Sequence, residues 1–458
     1  MVRAVHLGAA HFPRLQKIKC YHGTSYGLSY IKYASHIIGR CALMNSNQSQ
    51  LKAHDDKEAC VETSTSSVGQ YSLKVFDSIL KISRTDWDEI VGSSGITRSH
   101  GYLRAVESAK ISGCDYFYPV VYDETGNIVG HACVYTVITD FAQLLPRFCF
   151  NVVKKIRKIW PSLLSLRITE CATPLVSGCS ISNKDGVCRR QIMMYVETAM
   201  QDIASKKNSK LLVLRDFLEN ERDFFKALEG RGYKTRSNFP LARIKIKWKS
   251  YDSYLNSFRA RYRKDIKRRL RHAELGGNAV EVIQNFASDS HLWSHQAGII
   301  RSDTRGFMRE ALTPGYYENM DLILGPNSLL VTVVSESKRI AHGMVIFDDE
   351  NTFATFFGRD KRSPGGEWFQ LINEVVRIAI ERKSKFLHLG LGSYDGKSII
   401  GADIEPQYVY RRSTNMLLNF AINRVPDLMK ADSLPARRLF REYPKSPTST
   451  VSVDRINA

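Results

Sequence analysis

Four stretches of the chain carry residue types and spacings suited to chemistry. The first, Arg359-Asp360-Lys361-Arg362-Ser363-Pro364-Gly365-Gly366, joins a strand-like run to the start of a helix. Glycines there let the backbone approach an anion, and free N–H groups with the helix dipole attract negative charge. Arg359 and Arg362 add full charges, so a pyrophosphate is a natural guest; the alternative is a plain turn. The second, Leu389-Gly390-Leu391-Gly392-Ser393-Tyr394-Asp395-Gly396-Lys397, follows a buried-strand pattern. Tyr394 could act as general acid or hydrogen-bond donor, Asp395 as base or orienter, and Lys397 could stabilise a developing oxyanion. An ordinary glycine-rich turn with a solvated lysine is the alternative. The third is His342, in the strand-like Ile340–Phe347, where alternation puts it on one face with Met344. It is a candidate base, or a hydrogen-bonded packing residue.

The fourth stretch is YLNSFRARYRKDIKRRLR, from Tyr254 to Arg271. Tyr254, Phe258, Tyr262, Ile266 and Leu270 recur every four residues, the spacing of one stripe of a helix. Arg259, Arg263, Lys267 and Arg271 form a second stripe, joined by Arg261, Lys264, Arg268 and Arg269, with only Asp265 to offset them. One face would pack on a core while the rest, including Arg263, Lys267 and Arg268, meets a phosphate-bearing substrate, RNA or lipid headgroups. A solvated helix face is the alternative, although mixed-sign surfaces are the norm for plain solubility. Walker A, GxSxG and HExxH motifs and metal-ligand clusters are absent from the sequence, so no metal is expected.

The elements that must hold these residues occur in the same order twice. After a Ser/Thr-containing linker, a strand at Leu73–Phe76 leads to helices at Arg84–Val91, with Thr85 as N-cap, and Gly101–Ala109. Strands follow at Tyr116–Tyr122, Ile128–Val137 and Leu163–Cys171, then a helix at Cys188–Lys206 and a buried strand at Leu211–Phe217. A helix at Glu219–Arg231 and a strand at Leu241–Trp248 close this half. The second half opens on the basic helix, with helical stretches around His291–Ile300 and Arg305–Ala311. Strands come next at Leu329–Val334, Ile340–Phe347 and Thr352–Gly358, then the helix Glu367–Arg382 and the strand Phe386–Gly390. Tyr316 and Tyr317 read as loop aromatics. Three antiparallel strands, a helix and a further strand, occurring twice, suit an α+β sheet that splays at its centre rather than a doubly wound dinucleotide plan.

A chain of 458 residues exceeds one ordinary core. The 66 Lys and Arg against 46 Asp and Glu give a formal charge of +20, a balance that favours phosphate-rich partners or anionic surfaces. All nine cysteines precede residue 189 without a CxxC pair, so most should be reduced and buried. No run approaches ~20 apolar residues, and no transmembrane segment is expected. Residues 1–54 contain no Asp or Glu, a composition shared by organellar transit segments and by poorly ordered basic extensions. The expected location is cytoplasmic, with an organelle as the alternative.

Phe225-Lys-Ala-Leu228-Glu-Gly-Arg231-Gly232-Tyr233-Lys234 resembles the "FYxKxGFK" ending of a GNAT acyltransferase domain. Arg263-Lys-Asp-Ile266-Lys267-Arg268 resembles the "R-x-x-I-R-R-A" helix of Fem-type aminoacyl/peptidyl transferases and the related BioF2-like (acetyltransferase type 6) proteins. Gly358-Arg359-Asp360 and Lys397-Ser-Ile-Ile-Gly401 fit that group's "G-x-D … K-x-x-F-G" succession. The resemblance spans about residues 73–428. It implies tandem GNAT-like domains, each a splayed mixed, mostly antiparallel sheet flanked by helices: 71–249 as a non-catalytic partner and 250–428 as the catalytic half. Residues 1–70 would be a basic extension and linker, and 429–458 a tail. It also implies acyl transfer to a small-molecule or phosphorylated amine acceptor. Lys397 would lie near the tetrahedral intermediate, Gly365 and Gly366 at the donor's pyrophosphate, and Arg263–Arg268 beside a phosphate-bearing substrate. The donor loop lacks a full Q/R-x-x-G-x-G/A, so acyl-CoA and aminoacyl-tRNA both stand as donors, with no permanently bound cofactor. A non-catalytic nucleic-acid or anionic-surface binder on a degenerate GNAT pair is the remaining alternative.

Overall fold

Alternating apolar runs in both halves form strands, and these join into one sheet. A computed structural model describes residues 71–145, 147–303, 310–361, 363, 365–416, 418–419 and 438–441. Its strands are β1 (Ser72–Phe76), β2 (Cys114–Tyr122), β3 (Ile128–His131), β4 (Val134–Asp140), β5 (Ser165–Cys171), β6 (Ser182–Asn183) and β7 (Leu211–Leu218). They continue as β8 (Lys234–Lys245), β9 (Asn278–Ile283), β10 (Ser328–Ser335), β11 (Lys338–Phe347), β12 (Asn351–Arg359), β13 (Phe386–Gly390) and β14 (Asp403–Ser413). The helices are α1 (Arg84–Val91), α2 (His100–Ser108), α3 (Arg147–Ile156), α4 (Arg189–Lys206), α5 (Arg222–Phe225) and α6 (Tyr251–Ser257). Then come α7 (Ala260–Leu275), α8 (Ser290–Asp303), α9 (Pro314–Leu324), α10 (Glu367–Glu381) and α11 (Tyr394–Ile399).

From β4 onward the sheet order is β4-β5-β7-β14-β8-β13-β12-β11-β10-β9. Only β5/β7 and β12/β13 pair in parallel among these neighbours. Each half therefore has an antiparallel meander, a helix and a parallel strand, the splayed tandem GNAT-like α+β plan expected from the sequence. The halves also trade strands. β14, from the second half, lies between β7 and β8, while β8, from the first, pairs with β13. Neither exchanged segment is marked by its own composition. β14 was not foreseen, and β8 begins at Lys234 rather than Leu241 because β14 gives polar Lys234–Asn238 a ladder partner.

Helices cover both faces. On one, Trp87, Tyr102 and Val106 share a cluster with Trp293, Tyr316, Tyr317 and Leu324, so α2 of the first half packs on α9 of the second. The Thr313 hydroxyl, which caps α9, also donates to Ala109 O across that contact (2.8 Å). Tyr316 and Tyr317 thus sit on a buried helix opened by Pro314, not on a loop. On the other face α10 packs with Tyr254, Phe258 and Ile266 over β8 and β10–β13.

Several local expectations change. The stripe from Tyr254 to Leu270 is buried or half-buried as its spacing predicts, but it runs over two helices. Phe258 and Arg259 are extended because they meet the chain's C-terminal segment: Phe258 forms a bridge with Phe440, and Arg259 N donates to Leu439 O. The strand expected over 128–137 breaks at Ala132–Cys133, opposite Pro119, which has no N–H to give. Ser83, not Thr85, caps α1. The helix expected over 219–231 is a series of short turns around α5, and β9 and α11 were not foreseen. Arg362 and most of the helix expected at Arg305–Ala311 lie outside the described residues. No described helix is long and apolar enough to cross a membrane.

The exchange makes the halves interdependent. Residues 71–249 or 250–441 expressed alone should be insoluble or molten, and co-expression should restore a cooperative unfolding transition by circular dichroism. A sharp transition for 71–249 alone would contradict this.

Candidate active site

The parallel pair β12/β13 is short. Asn351 pairs with Phe386, Thr352 with Leu387 and Phe353 with His388, and beyond these residues the strands part. A one-residue bulge in β12, between the pairs Val345–Ala354 and Gly343–Phe357, bends the strand where it separates. β13 then ends in a tight turn. Gly390, Gly392 and Ser393 all have left-handed backbones, with φ of 68°, 72° and 49°. Glycine adopts this region readily, but Ser393 does so at a conformational cost, the kind of strain that functional turns store.

The turn leads into α11, which carries three of the expected site residues. Lys397 points inward and is only 6% exposed. Its ammonium donates to Leu391 O at 2.8 Å, and among the described residues no carboxylate pairs with it. Burial pulls its pKa down to about 7. Tyr394 is half-buried and donates to Pro240 O (2.9 Å), a carbonyl of exchanged strand β8. Burial raises its pKa, so it serves as a neutral anchor across the two halves. Asp395 lies on the exposed side of α11. Gly396 faces Trp368 of α10, and a Cβ there would come within 3.3 Å of the indole. This contact fixes α11 against the start of α10.

That start is the glycine loop. Gly365 and Gly366 both have φ of 94° with open space around them, so only their backbone conformation demands glycine. The loop's own helix supplies a partner at the expected anion site. Glu367, 1% exposed, accepts the Gly365 N–H at 2.8 Å. Its position directly after Gly366 was visible in the sequence, but its inward orientation was not. Arg359 ends β12, opposite Ala341 of β11.

His342 is not at this place. It packs among Trp293 and Tyr317, whereas Tyr394 and Ile400, flanking Lys397, pack with the cluster on the other face. Gln296 donates to Arg339 O and Asp360 Oδ1, which turns its own carbonyl toward His342 Nδ1 at 2.8 Å. The proton is therefore on Nδ1, and Nε2 accepts from the Tyr317 hydroxyl at 2.9 Å. A Cβ on Gly358 would run into the ring. With both nitrogens engaged and no exposure, His342 offers no base to a substrate, and burial pulls its pKa to about 3.

The basic helix α7 borders the glycine loop's helix. Ile266 is buried, and the Arg269 guanidinium stacks over Phe369 of α10, 5.4 Å from the ring centre. Arg263 is half-buried and reaches Phe258 O and Asn256 O, the carbonyl end of α6. Lys267 and Arg268 are exposed, and Arg268 pairs with Asp265 together with Arg269.

The equivalent gap in the first half is filled from within. β5 and β7 part beyond Cys171 and Leu214, and Arg215 there bonds Glu170 (3.0 Å), Tyr135 OH (2.6 Å) and Asp216. Asp216, at φ 71°, also accepts from Asn238 and from Gly178 N. Among the described residues no group of His, Cys, Asp and Glu is placed to hold a metal ion.

The FemAB-like family model, described as peptidoglycan biosynthesis/recognition, matches residues 78–392. The chain belongs to the FemAB-like family. The Mycobacterium tuberculosis protein named "Putative 8-amino-7-oxononanoate synthase 2" is 21% identical over 324 residues, 69% of this chain and 42% of that protein. The chain thus spans less than half the length of that curated relative. Among solved structures, FemX is 12% identical, with 75% of this chain and 99% of that one covered and a TM-score of 0.49. A tandem GNAT protein from the clavulanic acid biosynthesis pathway is 11% identical, with 75% and 99% covered and a TM-score of 0.43.

His342 has a stability signature. Its pKa is 6.5 when exposed and about 3 when folded, so the unfolded chain binds the extra proton. Stability present above about pH 6.5 should fall as pH drops toward 3, by up to about 1.4 kcal/mol per pH unit for each such histidine. His131 and His388, pulled by burial to about 3 and about 4, add to the slope. Urea unfolding at pH 4–8 should show His342→Gln removing one proton's share; an unchanged slope would mean that His342 titrates normally.

Proposed function

We propose that the chain is an N-acyltransferase whose reaction centre lies beside Lys397, where β12 and β13 separate. The observation that carries this reading is a buried lysine without a carboxylate partner among the described residues, held behind a turn of left-handed residues at the mouth of the splay. An ammonium that gives one hydrogen to a carbonyl keeps two for a developing oxyanion. The acceptor's amine nitrogen bonds to the donor's acyl carbon, and negative charge gathers on the carbonyl oxygen beside Lys397. Collapse then breaks the bond to the leaving sulfur or oxygen. The proton lost by the amine passes through water, or through Asp395 on the exposed side of α11, to the leaving group. Tyr394 positions α11, and His342 takes no step. The filled gap around Arg215 supports the first half as a non-catalytic partner.

Of the two donors, an aminoacyl ester of tRNA is favoured over acyl-CoA by Glu367. A carboxylate that already holds the Gly365 N–H repels a pyrophosphate at that loop. The exposed cations of α7 beside α10 suit an RNA backbone. The family's description suggests an amine on a peptidoglycan-type precursor as acceptor, a narrower class than the small or phosphorylated amine read from the sequence.

Lys397→Ala should lower kcat/KM by about 100-fold or more with the thermal midpoint nearly unchanged. If the charged lysine is the working form, kcat/KM, corrected for ionisation of the acceptor amine, falls as pH rises through about 7. Lys397→Arg should move that limb to higher pH. A rise through the same range would instead make Lys397 a neutral base. For the donor, activity should vanish with RNase and binding of charged tRNA should weaken with salt. Thermal stabilisation by acyl-CoA, weakened by Gly366→Trp, would reverse the choice.

A further inference from the structure

Between Asp140 and Glu170 the chain has no acidic residue, yet it holds Arg147, Lys154, Lys155, Arg157, Lys158 and Arg167. This stretch contains α3, which lies between β4 and β5 and belongs to neither half's splay. Its inner face is a small satellite core: Val153 is buried with Ala142 and Leu163, and Phe150, Ile156 and Trp160 lean on them. The fold therefore holds the helix in place without using its outer face. Arg157 is occupied, paired with Asp140 at 2.6 Å and bonded to Leu163 O.

The outer face combines two kinds of residue that seldom share a solvated surface. Phe148 is 73% exposed and Ile159 is 91% exposed, at the two ends of the segment. Lys154, Lys155 and Lys158 lie between them and are also exposed. Phe148, Asn151 and Val152 line a shallow groove of about 480 Å³ together with these three lysines. Phe148, Val152 and Lys155 follow one helical stripe, and Lys158 and Ile159 lie in the turn that follows α3.

We propose that this face of α3, with the turn that follows it, docks on an anionic lipid bilayer. Phe148 and Ile159 would enter the boundary between headgroups and acyl chains, while the lysines would pair with lipid phosphates and lay their methylene stems on the surface. Charge complementarity selects an anionic partner, and the two apolar tips select a bilayer over a nucleic acid. An isoleucine 91% exposed at the rim of a cationic patch contributes nothing to a phosphodiester backbone.

The test is vesicle co-sedimentation of the full chain, with phosphatidylcholine alone or with about one third phosphatidylglycerol. Because the whole chain is basic, the informative variant conserves charge: Phe148→Ser with Ile159→Ser. Both side chains are exposed, so circular dichroism should show an unchanged fold. The wild type should favour the anionic vesicles, and the double variant should bind them about tenfold or more weakly, since each side chain removes an apolar anchor. Lys154→Glu with Lys155→Glu should abolish the preference for phosphatidylglycerol. Equal binding by wild type and the Phe148/Ile159 variant would overturn the proposal and leave only diffuse attraction. Loss of RNA binding without loss of vesicle binding in that variant would assign the face to a nucleic acid instead.

Discussion

The exchange of β8 and β14 is the constraint on which the rest of this molecule depends. Each half completes its splayed sheet with a strand from the other, and β8 is hydrogen-bonded on both sides by second-half strands. Buried backbone groups must be paired, so neither half can open this seam without stranding a row of N–H and C=O groups. The consequence reaches the turn that carries Lys397. The turn after β13 is held by Tyr394 against Pro240, a residue of the first half. A half without its own open cleft therefore still sets the position of the other half's lysine.

The two halves solve the same geometric problem with opposite electrostatics. Where a parallel pair of strands separates, polar backbone and a void must be satisfied. The first half fills its gap with Arg215, held between Glu170 and Asp216. Burying such a set adds little stability, but removing one member leaves an uncompensated charge, which holds the network together. The second half leaves Lys397 with a carbonyl and no opposing acid among the described residues, and burial lowers its pKa. A stable fold gains little from that arrangement by itself, which sets Lys397 apart from the buried charges of the first half.

Cations on this surface fall into distinct environments. On α7, Asp265 engages Arg268 and Arg269, and Phe369 seats Arg269, so part of the charge run serves packing. Arg263 closes the end of α6. On α3 the lysines have no acid within the surrounding stretch of sequence, and they sit among exposed apolar side chains. A formal charge of +20 therefore conceals two surfaces with different chemistry.

Much of the plan was legible in the residues themselves. The buried strands of both halves, the helices α4 and α10, and the stripe from Tyr254 to Leu270 follow from the periodicity of apolar side chains, a local property. Lys397 was visible as a candidate because it follows a glycine-rich turn after such a strand. Pairing between distant segments leaves no such trace. No local pattern in Asp403–Ser413 states that it will lie between β7 and β8, and nothing in Lys234–Asn238 marks these polar residues as a ladder. The break at Phe258 depends on Phe440, more than 180 residues away. The fates of the candidate groups were decided in the same way. His342 and Lys397 look equally available in sequence, but tertiary packing closes Gln296, Tyr317 and Gly358 around the first, while the buried ammonium of the second donates to the Leu391 carbonyl of the preceding turn. Glu367 likewise turns a glycine loop suited to phosphate into one that holds its own carboxylate. Composition and spacing determine which groups a segment carries and which face they share, whereas burial and partnership, which set charge state and reactivity, arise only when distant segments meet.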